Sequence, residues 1–229
     1  AGSEAQKAEW LGRIASGDAI LSPAWIEPDR GYGEIGVQVE ARVDGGGFVL
    51  NGVKRHVGFA SSATRLVVLA RTKAGVDLFL VDPNAKGVSL KHVLAQGRDP
   101  QYRVELHDVR VPASARIGAP GSGWKTWNQV MHDGIILIAA QAIGGAQRCL
   151  EETVAYANTR VQFDKPLGAF QSIAHYLADR QAELDGARTL VHEPAWARAT
   201  GRSVARLAPM AKLFAAKVAR DLTATAEQI

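Results

Sequence analysis

The strongest fold signal in the sequence is the stretch from Trp127 to Val154, WNQVMHDGIILIAAQAIGGAQRCLEETV. Its large apolar side chains recur at intervals of three or four residues, the spacing that places them on one face of an α-helix. A helix from about Trp124 to about Asn158 would be roughly 50 Å long. A helix of that length is typical of a bundle, so we predict a helical bundle in this part of the chain.

Two more helical patterns follow this stretch. One begins near Phe170 and the other near Pro209, and both repeat apolar residues at helical spacing. Pro194 lies inside the first and has no backbone N–H to donate, which predicts a kink or an end near residues 190–194. The sequence stops while the last pattern is still periodic. We therefore expect an up-down helical bundle over residues 119–229 that is incomplete at its end.

The residues before about position 120 follow the two-residue period of β-strands instead. Apolar and polar side chains alternate from Ile35 to Val43, and Asp44-Gly45-Gly46-Gly47 then predicts the tight turn of a hairpin. Asn51-Gly52 predicts a further turn. Strands that follow one another without helices between them predict an antiparallel sandwich or barrel-like domain over residues 16–118. The predicted fold class is therefore α+β.

The first 15 residues contain a short amphipathic segment, Glu4 to Ile14, with no helical partner nearby in the sequence. We interpret residues 1–15 as a remnant of an N-terminal helical domain. Both ends of the sequence thus look like cuts in something longer.

The composition excludes several classes of protein. Lys and Arg number 27 against 23 Asp and Glu and are evenly spread, which argues against a nucleic-acid-binding surface. Cys149 is the single cysteine and cannot form an internal disulfide. The longest apolar run, Gly134 to Ala146, contains Gln141 and is shorter than the ~20 residues of a membrane span. The N-terminus does not resemble a signal peptide, and we expect a cytoplasmic protein.

The densest cluster of unusual residues joins the first two long helices and reads RVQFDKPL from Arg160 to Leu167, followed by Phe170-Gln171. Taken alone, Arg160 could satisfy carbonyls at a helix C-terminus, and Pro166 could mark the turn of a helix pair. Together these residues resemble the R-x-Q-F-x-x-P-I/L-x-x-F-Q loop of the acyl-CoA dehydrogenase family. Other stretches are similar to that family too: Gly144-Gly145-Ala146-Gln147, Tyr156-Ala157-x-Thr159-Arg160, Glu27-Pro28 and Asn51-Gly52-x-Lys54.

The resemblance implies a flavin enzyme of which this chain contains the β domain and most of the C-terminal helical domain, without the N-terminal one. It implies that FAD lies between those two domains and that the loop arginine reaches the pyrophosphate of a neighbouring subunit's cofactor. The positions that it implies for cofactor binding are Arg160, Gln162, Phe163 and Gln171 at the adenosine diphosphate, Gln228 at the end of the chain, and Trp25, Ile26, His56 and Gly58 in the β domain. A planar guanidinium suits phosphate, and an aromatic ring can cover adenine.

The β domain departs from the family at the flavin. Where the family commonly has K-x-W-I-T, this chain has Lys54-Arg55-His56-Val57-Gly58. His56 can still stack, or be an ordinary partly buried histidine, whereas Gly58 has no hydroxyl to donate. Tyr32 likewise stands where the family's E-P-x-x-G-S has a small hydroxyl. These changes predict altered flavin contacts or none.

The catalytic base has no assigned residue. Dehydrogenation needs a carboxylate to take the α-proton while hydride leaves for flavin N5. The resemblance implies a glutamate C-terminal to Gln228-Ile229 in most of the family and one at the position of Gly134 in a minority. Asp133 is one residue away, which rotates it by about 100° around a helix. His132 is no better placed as a base.

The resemblance and the departures from it leave three possible functions. The first is FAD-dependent α,β-dehydrogenation of an acyl-CoA thioester in fatty acid and lipid metabolism, with an electron-transfer flavoprotein or similar acceptor and a homodimeric, homotetrameric or hetero-oligomeric assembly. The second is a flavin-dependent monooxygenase or oxidase on the same scaffold. The third is a flavin-less structural subunit of a hetero-oligomer. The scattered histidines form no metal-binding pattern.

Overall fold

The computed structural model describes all residues from 1 to 229, and the chain divides into two compact units, Ala1–Trp127 and Asn128–Ile229. The helices are α1 (Glu4–Ser16), α2 (Gly123–Thr159), α3 (Gln171–Ala199) and α4 (Leu207–Gln228). The strands are β1 (Leu21–Ala24), β2 (Glu40–Asp44), β3 (Gly47–Gly58), β4 (Arg65–Thr72), β5 (Gly75–Val81), β6 (Val88–Val93), β7 (Gln101–Pro112), β8 (Arg116–Ile117), β9 (Val161–Gln162) and β10 (Lys165–Pro166). No helix combines the length and the apolar character that crossing a bilayer requires.

The first unit is built on an eight-stranded sheet in the order β6-β7-β3-β2-β4-β5-β8, with β1 paired to β4. Most neighbours are antiparallel, but β1 and β2 both run parallel to β4. The α+β class is confirmed, and the sheet is mixed where the sequence predicted an antiparallel one. The parallel pairs form between strands that are not consecutive in the chain, since β3 lies between β2 and β4, and β2 and β3 lie between β1 and β4. A hairpin turn can join only antiparallel neighbours.

The hairpin predicted at Asp44-Gly45-Gly46-Gly47 is present. Asp44 pairs with Gly47, and the two glycines between them have φ of 54° and 92°, as a two-residue turn of type I′ requires. The strand before it is shorter than the alternation predicted, because residues 34–36 form a turn of 3₁₀-helix. Gly36 packs so closely on this loop that a Cβ would lie 1.9 Å from the Gly31 carbonyl oxygen.

The second predicted turn, at Asn51-Gly52, is wrong. Both residues lie inside β3, where the pairing with β7 shifts register and Gly52 adopts a φ of 138°. The Asn51 side chain donates to the Asp108 carboxylate and accepts from the Asp108 backbone N–H at 2.8 Å. These cross-strand bonds keep the chain extended, so the glycine makes a β-bulge and does not reverse the chain.

The entry into α2 is fixed by a buried carboxylate. Asp77 on β5 is fully buried and accepts hydrogen bonds from the Gly121 N–H at 2.7 Å and the Thr72 hydroxyl at 2.9 Å. Gly123, the first residue of α2, lies against Asp77, where a Cβ would be 2.6 Å from backbone atoms. The glycines that precede the long helix therefore serve close packing.

The second unit packs α3 and α4 with the α2 residues that follow Trp127, around a core of small and branched side chains. Of the kink or end predicted near residues 190–194, the end is wrong, since α3 continues through Pro194 to Ala199. Val191, Pro194 and Ala197 are all buried there. Burial on both sides of the proline offsets the missing backbone hydrogen bond. The core consists of Ala139, Ile143, Ala146, Leu150, Leu184, Ala187, Val191, Ala211, Ala215, Val218 and Leu222.

Candidate functional site

The loop between α2 and α3 forms a small hairpin. Strands β9 and β10 pair with Lys165 opposite Gln162 and Pro166 opposite Val161. The two turn residues, Phe163 and Asp164, have φ of 52° and 64°. Left-handed backbone at non-glycine residues costs free energy, and it is concentrated at functional sites. A large aromatic residue held in that conformation points to a role for the hairpin beyond joining two helices.

The side chains of this hairpin are available to a ligand. Phe163 is 86% exposed, and its ring meets the Phe170 ring edge-on at 6.3 Å. The Arg160 guanidinium makes no hydrogen bond or ion pair within the chain, so it does not cap the carbonyls of α2. Gln162 and Gln171 are exposed as well. Arg160, Gln162, Phe163 and Gln171 thus lie on one hairpin and the helix start that follows it.

The four candidate positions of the first unit lie on two adjoining segments. Trp25 and Ile26 follow β1, and the Ile26 carbonyl accepts from the Arg55 N–H of β3 at 2.8 Å. His56 is exposed, has a φ of 52° at a register shift of β3, and its Nδ1 lies 2.7 Å from Gln101 Oε1. It is not the partly buried histidine of the alternative interpretation.

Gly58 carries no hydroxyl, but the space beside it is open. A Cβ there would meet no atom within 4 Å. The Gly58 carbonyl is occupied, because the buried Ser22 hydroxyl donates to it at 2.5 Å. The hydroxyl donor that the family commonly has at the Gly58 position is therefore missing, while the surface beside Gly58 is accessible.

An aromatic cluster flanks these positions. The Trp25 ring lies 6.0 Å from the Tyr32 ring and 5.5 Å from the Trp127 ring. Tyr32 is 66% exposed, whereas Trp127 is buried and its Nε1 has no acceptor. In the sequence, Trp127 stands out only as one of the apolar residues at helical spacing. The unpartnered N–H of Trp127, close to the Trp25 ring, makes Trp127 a further candidate for ligand contact. Only the tertiary structure reveals it.

A buried ion pair lies behind Trp25 and Ile26. Lys54 Nζ is 2.7 Å from Glu27 Oε1, and the side chains of Lys54 and Glu27 are 0% and 6% exposed. The Glu27 carboxylate also accepts from the backbone N–H groups of Gln38 and Val39 at 2.9 Å. Two motifs that the sequence showed separately, Glu27-Pro28 and Asn51-Gly52-x-Lys54, therefore meet in one contact.

Burial lowers the pKa of Lys54 from 10.5 to about 8, and the Glu27 carboxylate opposes part of that shift. The unfolded chain holds this proton up to about pH 10.5, whereas the folded chain releases it near pH 8. The unfolded state therefore binds more protons between these values, and the free energy of unfolding rises with pH in that window.

This titration gives a measurable prediction. Relative to the uncharged variant Glu27→Gln/Lys54→Met, the wild-type chain should gain about 2 kcal/mol in free energy of unfolding between about pH 7 and about pH 9.5. Urea unfolding of both proteins at several pH values measures the difference. A difference that stays constant with pH would show that Lys54 titrates like an exposed lysine.

Asp133, the residue next to the possible base position Gly134, is paired with Arg198 in the second unit. Arg198 Nε donates to Asp133 Oδ1 at 2.6 Å, and Arg198 Nη2 donates to Oδ2 at 3.0 Å. These hydrogen bonds hold the pKa of Asp133 below its usual value. The neighbouring Gly134 has open space at its Cβ position.

Gln228 is exposed at the last residue of α4. No cluster of His, Cys, Asp or Glu in the chain is arranged to hold a metal ion.

Two family models match the chain and together cover most of it. The middle domain of acyl-CoA dehydrogenase matches residues 23–109, and the C-terminal domain matches residues 121–229. The chain belongs to the acyl-CoA dehydrogenase family. This confirms the resemblance inferred from the hairpin and the other motifs.

Curated relatives and solved structures of the family agree with this assignment. A probable acyl-CoA dehydrogenase of Bacillus subtilis is 35% identical over the whole chain, which covers 62% of that relative. The mitochondrial short-chain specific acyl-CoA dehydrogenase of Bos taurus is 34% identical, with 57% of its length covered. Butyryl-CoA dehydrogenase from Megasphaera elsdenii superposes with a TM-score of 0.93 at 32% identity, over 99% of this chain and 61% of that one. The chain thus spans about three fifths of the length of these relatives.

A further solved structure, described as PigA with FAD and proline, superposes with a TM-score of 0.93 at 28% identity. It covers 99% of this chain and 61% of that one. Members of this fold therefore include a protein with bound FAD.

Proposed function

We propose that this chain is part of a FAD-dependent acyl-CoA dehydrogenase that introduces a double bond between the α- and β-carbons of an acyl-CoA thioester. The hairpin at residues 160–166 carries the proposal. It presents a free guanidinium and an exposed aromatic ring on a backbone turn that is costly to hold. Arg160, Gln162, Phe163 and Gln171 are the residues that the family motif assigns to the cofactor.

The donor set of the hairpin fits the adenosine diphosphate part of FAD. Arg160 would make charge-assisted hydrogen bonds to the diphosphate, which its unpaired state leaves it free to do. Phe163 would cover the adenine with its exposed ring, and Gln162 and Gln171 would supply amide contacts. We propose the same supporting role for Gln228.

In the first unit, Trp25, Ile26, His56 and Gly58 would hold the flavin end. The open space at Gly58 and the exposed His56 ring leave room for a planar group. Because the side-chain hydroxyls are absent, backbone groups would make the polar contacts there. When bound, FAD accepts the hydride that leaves the β-carbon of the substrate.

We propose an oligomer, since the family motif places the loop arginine on a neighbouring subunit's cofactor. One relative supports an electron-transfer flavoprotein as the electron acceptor. It is described as a caffeyl-CoA reductase–Etf complex subunit of Acetobacterium woodii, 30% identical over the whole chain. The short-chain specific relatives favour a role in fatty acid and lipid metabolism. We further propose a cytoplasmic location and, within the oligomers considered, a homotetramer.

The visible absorption spectrum of the purified chain tests this function. A flavin band that a short-chain acyl-CoA bleaches only slowly under anaerobic conditions is the expected result, because Asp133 is held by Arg198 and no free carboxylate is placed to take the α-proton. A flavin that acyl-CoA does not reduce at all, but that a different electron donor reduces and oxygen then reoxidises, would favour the monooxygenase or oxidase.

The other candidate function that specific residues favour is the third one, a flavin-less structural subunit of a hetero-oligomer. The absence of a hydroxyl at Gly58 and the bulky Tyr32 favour it. A colourless chain that takes up no FAD on titration, yet associates with a second acyl-CoA dehydrogenase chain, would establish this candidate instead.

A further inference from the structure

The buried Glu27–Lys54 pair joins three separate segments of the first unit. Glu27 lies two residues after Trp25, and its carboxylate accepts from the backbone of Gln38 and Val39. Lys54 on β3 donates to Glu27 at 2.7 Å and lies 3.4 Å from the Trp25 carbonyl oxygen. The pair thus connects the segment after β1, the segment before β2, and β3.

All four cofactor positions proposed for the first unit are close to this pair in the sequence. Trp25 and Ile26 directly precede Glu27, and His56 and Gly58 follow Lys54 by two and four residues. The backbone carbonyls of both Trp25 and Ile26 are bonded to β3, the first by Lys54 Nζ and the second by the Arg55 N–H. A shift of the pair would therefore move the segment that carries Trp25 relative to the strand that carries His56.

Fold stability does not explain why two charges are buried here. Removing an ammonium and a carboxylate from water is costly, and neutral replacements of similar volume are often as stable or more so. The lowered pKa of Lys54 shows that this cost is present in the folded chain. A buried ion pair with several directional bonds fixes geometry well, even where it adds little stability.

We infer that Glu27 and Lys54 are positioning residues. They hold the Trp25–Ile26 segment against β3, so that this segment and the β3 residues His56 and Gly58 keep a fixed position relative to the flavin. The inference rests on the proposed function for the identity of the ligand. Its structural part, the tether between the two segments, stands on the contacts alone.

The test uses the uncharged variant Glu27→Gln/Lys54→Met in the full 229-residue chain. The amide oxygen of the introduced glutamine can still accept from Gln38 and Val39, and the methionine conserves most of the lysine volume. Titration with FAD, followed by flavin fluorescence, should show binding weakened by about 10-fold, the lower end of the loss seen when the outer-shell partners of metal ligands are removed. Urea unfolding at neutral pH should show a variant at least as stable as the wild type.

Amide hydrogen exchange provides a measurement that does not need the cofactor. The Arg55 amide, which donates to Ile26, should exchange faster in the variant, because the tether beside it is gone. The Gln38 and Val39 amides should keep their protection, because their acceptor remains. The matched control is Arg103→Gln/Glu105→Gln, which removes a half-exposed ion pair on β7 and should change neither measurement.

The outcomes separate the two claims. If the wild-type chain binds no FAD, the proposed function fails, while the exchange of Arg55 still tests the tether. Unchanged Arg55 exchange, or unchanged FAD affinity in a wild type that does bind FAD, would overturn the positioning role. A double variant that is markedly destabilised or unfolded would overturn it too, because the pair would then serve the fold itself.

Discussion

Substituting Gly134→Glu is expected to accelerate flavin reduction by a short-chain acyl-CoA by roughly 10²- to 10⁴-fold over the unsubstituted chain, the range that general-base assistance supplies. No carboxylate is free at this position, because the neighbouring Asp133 is held by two nitrogens of the Arg198 side chain, Nε and Nη2. A general base must be free to accept a proton, and the lowered pKa of Asp133 opposes that.

The structure makes this substitution feasible. The Cβ position of Gly134 meets no atom within 4 Å. Replacing a glycine inside a helix also removes a conformational entropy cost of up to about 1 kcal/mol. The gain should therefore come without a folding penalty, and thermal unfolding of the variant measures this.

Gly134→Gln is the matched control, since it has the same length and cannot take the proton. Stopped-flow absorbance of the FAD-loaded proteins under anaerobic conditions gives the rates. Rapid bleaching by the unsubstituted chain, lost in Asp133→Asn, would reverse the argument and make Asp133 the base. Equal rates for Gly134→Glu and Gly134→Gln would show that this position does not serve proton abstraction.

Replacing Arg160 by alanine is expected to weaken FAD binding by ~1.5–3 kcal/mol, or about 10- to 100-fold, the contribution of hydrogen bonds to a charged group. The guanidinium has no partner inside the chain, so its removal leaves no buried group unpaired. The loss should therefore appear in cofactor affinity and not in stability. Fluorescence titration with FAD and urea unfolding measure the two separately.

Two variants sharpen this prediction. Arg160→Lys keeps the charge but loses the planar fork of donors, so its affinity should fall between those of the wild type and the alanine variant. Arg206→Ala removes another exposed, unpaired arginine of the second unit and should leave FAD affinity unchanged. Full flavin occupancy of Arg160→Ala after dilution and gel filtration would contradict the role.

Local patterns in the sequence predicted the elements that depend on local physics. The helical spacing after Trp127 predicted α2 to within one or two residues at each end, and the Gly45-Gly46 turn predicted the β2–β3 hairpin. Both follow from the period of side chains or from a backbone conformation that glycine allows. The hairpin residues from Arg160 to Pro166 formed a long enough motif to indicate the family.

The predictions that were wrong depended on contacts between distant residues. Asn51-Gly52 has turn chemistry, but Asp108 on a neighbouring strand keeps it extended. Pro194 predicted a kink or an end of the helix, and the end does not occur, because burial in the second unit lets α3 continue past it. A single sequence contains no record of such partners, so local propensity was overridden in both places.

The sequence by itself determined the fold class and the long helices, because periodicity is a property of the chain. Its motifs also resembled those of the family, and that resemblance implied the list of candidate cofactor residues. Only the tertiary structure decided that Phe163 is exposed in a left-handed turn, that Asp133 is held by Arg198, and that Glu27 meets Lys54 in a buried pair. Asp133 and Arg198 are separated by 65 positions in the sequence, and Glu27 and Lys54 by 27. Exposure, pairing and pKa depend on what folding brings within a few ångströms, and the order of residues along the chain does not state it.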